Sequence, residues 1–98
     1  MASTVWGSVD QDGNILSGSG DFSVENPSSG IYKIIFENTF NGIPAVVATQ
    51  NNWGKTSEQN TDGVVVPVVN NNYCNIVTGN ASGSQQINRA FGFIAIGN

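Results

Sequence analysis

Apolar and polar residues alternate with a period of two along most of the chain, and clusters of Gly, Asn, Asp and Ser cut the alternation into short segments. "DFSVE" (21–25) is the cleanest case, with Phe22 and Val24 on one face and Asp21, Ser23 and Glu25 on the other. That is the pattern of a strand with one side in a core and one in water. "TVWGSV" (4–9), "GIYKIIFE" (30–37), "IPAVVATQ" (43–50), "VVVPVV" (64–69), "YCNIVT" (73–78) and "FGFIAIG" (91–97) read as further strands. "DQDGN" (10–14) carries the pair Asp12-Gly13, a hairpin signal. Pro67 cannot donate to a ladder, so 64–69 is predicted at a sheet edge or bulged there. The pattern predicts an all-β fold: a single domain over 1–98, built as a small antiparallel β-sandwich of about six to eight strands.

Three of the segments are apolar on both faces. In 91–97, Phe91, Phe93 and Ala95 point one way, while Gly92, Ile94 and Ile96 point the other. In 30–37, Tyr32, Ile34 and Phe36 oppose Ile31, Lys33, Ile35 and Glu37, and "VVVPVV" has no polar face at all. A sandwich strand needs only one apolar face. The surplus predicts that Ile35, Ile94 and Ile96 form a second apolar face, covered either by another copy of the chain or by a loop folded over it.

Composition agrees with the pattern. Eleven Val and nine Ile stand against a single Leu, a bias toward side chains that suit a pleated surface better than a helix. Charged residues make up 10% of the chain, against roughly 25% in an ordinary soluble domain. Asn, Ser, Thr, Gln and Gly must therefore supply the polar surface. The net charge is −4 and there is no basic run, which argues against a nucleic-acid partner and against attraction to an anionic membrane surface. The opening "MASTVWGSVDQ" lacks the cationic start and apolar core of a secretory signal, and no apolar run is long enough to cross a membrane as a helix.

The order "GSVDQDGNILSGSGDFSV", then "GIYKIIFENTFNGIPAVVAT", then "FGFIAIG" resembles a module at the C-terminal tips of phage tail fibres and related bacterial surface proteins. Its layout is also similar to that of the H-type lectins. The resemblance implies a homotrimer of sandwiches on a virion or cell surface, with ligand bound at an exposed end or between subunits. It makes carbohydrate the expected ligand, with a ligand-free trimerisation or capping domain of a fibre as the alternative.

Chemistry beyond binding has little to work with. There is no His, and the seven acids are scattered, so neither a nucleophile with its base nor a tuned carboxylate pair is expected. No enzyme activity and no cofactor are predicted. Cys74 lies in an alternating strand with no cation nearby and reads as an inert core thiol. Asp10, Asp12 and Asn14 are spaced like the start of a calcium loop, but no later bidentate Glu follows, and the hairpin explains the same residues. The expected contact region is the polar stretch 51–63. There Trp53 would stack on a sugar ring, with Asn51 and Asn52 hydrogen-bonding to it; alternatively, Trp53 folds back to cap the sandwich. Tyr73 and Arg89 are further candidates for the site, and Trp6 reads as a core or interface residue.

Overall fold

A computed structural model of the chain describes residues 3–51, 63–80 and 86–98. They form eight strands: β1 (Ser3–Val9), β2 (Ile15–Gly18), β3 (Phe22–Ser28), β4 (Ile31–Phe36), β5 (Ala45–Gln50), β6 (Val64–Val69), β7 (Tyr73–Thr78) and β8 (Phe91–Gly97). Two four-stranded antiparallel sheets pack face to face, sheet A in the order β2-β1-β8-β5 and sheet B in the order β3-β4-β7-β6. The fold is an all-β sandwich, as the alternation predicts.

The inner faces follow from the period of two. Val5, Val9, Phe91, Phe93 and Ala95 of sheet A meet Phe22, Tyr32, Ile34, Phe36, Cys74 and Ile76 of sheet B, all of them buried. Aromatic rings lock the layers together. Phe22 stands edge-on to Phe93 with ring centroids 5.0 Å apart, and Tyr32 leans on Phe91 at 4.8 Å. Such pairs add about 0.5–1.5 kcal/mol each beyond the area they bury. They also fix the alignment of the sheets, so that Val9, Phe91 and Gln50 lie near Ile31, Val77 and Val64 at one end, here the upper end. The connection 37–44 and the turns 19–21 and 70–72 occupy the lower end.

β6 lies at the edge of sheet B, and its register with β7 shifts between Val65 and Val68, around Pro67. Both consequences expected of the missing N–H are present. The β1–β2 turn closes as a hairpin around Asp10: Oδ1 accepts the N–H groups of Asp12 and Asn14 at 2.9 Å, and Oδ2 accepts from the Asn14 amide at 3.2 Å. These donors, the Asn14 N–H first, hold the Asp10 carboxyl below its ordinary value. The Asp10 and Asn14 side chains thus serve the turn. Among the described residues, no group of three or more His, Cys, Asp or Glu could hold a metal ion.

Candidate functional site

The upper end is tied by side-chain amides. Asn26 and Asn88 exchange hydrogen bonds at 3.2–3.3 Å, and Asn88 Oδ1 also accepts from the Gly30 N–H at 2.6 Å. The Thr78 hydroxyl donates to the Ile87 carbonyl, and Gln50 Nε2 donates to the carbonyls of Gly63 and Gly79. Gly30 has φ +74°, and a Cβ there would stand 2.7 Å from backbone atoms of Thr78, Gln86 and Ile87, so the closure requires glycine. The buried Tyr32 hydroxyl donates to the Gln11 carbonyl at 2.7 Å and receives a backbone hydrogen bond from Arg89. The segment leading into β8 is thereby held against both sheets.

Asn51 lies just beyond β5 at this end, where its N–H donates to the Ala90 carbonyl at 3.0 Å. Its side chain lies over Gly92 on the outer face of sheet A. In the orientation that satisfies its neighbours, the amide accepts from the Gly92 N–H at 3.1 Å and donates to the Gln50 carbonyl at 3.2 Å. A Cβ at position 92 would meet that amide at 2.9 Å. Asn51 is therefore committed to backbone, which leaves it less free to contact a ligand than the sequence suggests.

The outer face of sheet A is apolar. The register places Trp6, Ile94 and Val47 in one row across β1, β8 and β5, and Thr4, Ile96 and Ala45 in the next. Trp6 is 44% exposed, Val47 67%, Ile94 43% and Ile96 48%. Where Gly92 replaces a side chain, Trp6, Val47, Thr49 and Ile94 surround a shallow depression of about 340 Å³. No charged side chain lies on this face among the described residues. Trp6 accordingly belongs to the surface and not to the core.

The remaining expected site residues separate. Tyr73 and Ile35 pair across β7 and β4 on the outer face of sheet B, at the lower end. Lys33 Nζ sits 4.4 Å above the Tyr73 ring. Ile35 is thus on the opposite side of the sandwich from Ile94 and Ile96, and the single apolar second face expected from sequence is in fact two faces. Tyr73 is likewise at the far end from Asn51 and Arg89. Asn52 and Trp53 lie outside the described residues. Cys74 is fully buried among apolar side chains, which pushes its thiol up to about 12.

Sequence reasoning missed Val47 and left Trp6 open between core and interface; the structure places Trp6 on the outer face. The signal was present in Thr4-Val5-Trp6-Gly7, where Val5 takes the inner face and sends Trp6 outward. Among the described residues, fold and surface together define a class: a small antiparallel β-sandwich with an exposed apolar face on sheet A that carries no charged side chain. Comparison with known protein families, curated proteins and solved structures finds no match.

Proposed function

We propose that this protein is a non-enzymatic binding head, a homotrimer joined through the outer face of sheet A that presents its polar ends to a cell-surface glycan or similar polar ligand. One observation carries the reading: Trp6, Val47, Ile94 and Ile96 stand together on a sheet face without a charge among them. Exposed apolar surface of this kind marks interaction sites and is an aggregation liability when left open. The threefold stoichiometry and the glycan rest on the resemblance to tail-fibre tips and H-type lectins.

Assembly also serves the chemistry of binding. A sugar exchanges hydrogen bonds with water for similar ones with protein, at a net gain of about 0.5–1.5 kcal/mol each, so a single site binds weakly. Linked copies gain roughly 10²–10⁴ in avidity over one site. The test is binding to a surface-displayed glycan array by the wild type and by Ile94→Lys, whose charge opposes assembly. Retention of the wild type, with loss of retention by the folded variant, is the expected result. The second reading, a fibre cap with no ligand of its own, is favoured by the commitment of Asn51 to backbone. It predicts assembly without retention on any glycan.

A further inference from the structure

We infer that the lower end of the sandwich, and not the 51–63 stretch, carries the polar-ligand site of the proposed head, and that its ligand is a neutral sugar ring with adjacent hydroxyls. A cleft of about 220 Å³ opens there between the start of β1, the turn before β3 and the connection after β4. Its polar wall comes from Asp21, Asn38, Thr39 and Asn41, and Phe40 and Val5 supply an apolar floor. Ligand sites for drug-sized molecules run from about 300 to 1,000 Å³, so this one fits a single ring.

Three features make the cleft a binding surface and not a solvated loop. First, its backbone is fixed. The Glu37 N–H donates to the Asp21 carbonyl at 2.8 Å, the Phe40 N–H to Asn71 at 3.0 Å, and the Asn41 N–H to the Asn98 carbonyl. The Phe40 ring is buried edge-on to Phe36, with centroids 5.1 Å apart. A pinned backbone lowers the ordering cost of binding. Second, the side chains are uncommitted. Asn14, Asn26, Asn70 and Asn88 spend their amides on turns and backbone, whereas no hydrogen bond from another described residue engages the side chains of Asn38, Thr39 or Asn41. The Asp21 carboxylate takes the Ser19 hydroxyl on Oδ1 and has no described donor on Oδ2.

Third, the charge selects the ligand. Among the described residues Asp21 carries the one charged side chain that lines the cleft, which repels anions, and hard cations take six to eight oxygens, usually with several carboxylates among them. A pair of sugar hydroxyls can donate to Asp21 and exchange hydrogen bonds with the two amides, while the C–H face of the ring rests on the apolar floor.

The test is a titration of the ¹⁵N-labelled wild type with methyl galactoside, methyl mannoside and N-acetylglucosamine, each to tens of millimolar. Calcium chloride forms a separate arm. Expected are shifts of the Asn38 and Asn41 side-chain signals and the Asp21 and Thr39 amides with at least one sugar. The double variant Asn38→Ala/Asn41→Ala, exposed at both positions, should keep its melting temperature and weaken binding about tenfold or more. No shift with any of the three sugars overturns the inference, as do shifts confined to 51–63, shifts caused by calcium alone, or unchanged affinity of the double variant. The oligomeric mass is a separate readout, so failure of the trimer is distinguishable from failure of this site.

Discussion

The outer faces of the two sheets are built from the same kind of strand and end differently. On sheet B, Lys33 projects between Ile31 and Ile35, stands opposite Glu25 on β3 and lies over the Tyr73 ring. Charge and ring share one surface, and the long Lys stem covers part of the apolar area beneath it. On sheet A the corresponding positions hold Trp6, Val47, Ile94 and Ile96 with Thr, Ser and Gly between them. A face that can be wetted carries gatekeeping charge, and a face meant for a partner omits it. The contrast is the ground for proposing sheet A, and not sheet B, as the docking face.

A charge placed on each face should break or keep that contrast. Ile94→Lys buries an unpaired ammonium if sheet A docks, at a cost of about 3–5 kcal/mol, and should dissociate the assembly. Val65→Lys, on the exposed outer side of β6 in sheet B, should leave the mass unchanged and move stability within about 0.5 kcal/mol. Sedimentation of both variants checks the pair. Equal effects would erase the distinction between the faces.

Gly30→Ala touches neither outer face. Its left-handed φ and crowded backbone should cost about 2–4 kcal/mol of subunit stability, read as a lower melting temperature. Since the subunit interface is intact, the mass of the folded fraction should not change. That outcome separates folding from docking; a monomeric but otherwise stable variant would not.

Much of the fold was legible because a period of two needs only local sequence. β7 and β8 run over the same residues as their apolar segments, and the Pro67 bulge follows from a missing donor. The assignment of strands to sheets was not legible. Ile35 and Ile94 both sit outside the core, but alternation says nothing about which sheet a strand joins. That depends on β8 inserting between β1 and β5, a pairing of the two ends of the chain. The same limit hid the lower cleft, whose walls come from turns that are distant in sequence. It also hid the capture of Asn51 by the Gly92 backbone.

Smaller effects sharpen the account. Cys74, with its thiol raised to about 12, should resist a thiol reagent at neutral pH in the folded protein and react promptly in denaturant. Rapid labelling under native conditions would show that the inner face is open. Asp10 has a folded value below its reference of 3.8, so its contribution is present above that reference and is lost as pH falls through the lowered value. Asp10→Asn removes that contribution, so it should lower the melting temperature slightly near neutrality, leave it unchanged below the lowered value, and thereby flatten the acid limb of the profile.

The central claim is that the outer face of sheet A is covered by other copies of the chain. Multi-angle light scattering on the wild type at micromolar concentration measures it most directly. The account predicts a single species of about three times the 10.3 kDa subunit mass, converted to one subunit mass by Ile94→Lys. A stable, soluble wild-type monomer would contradict it.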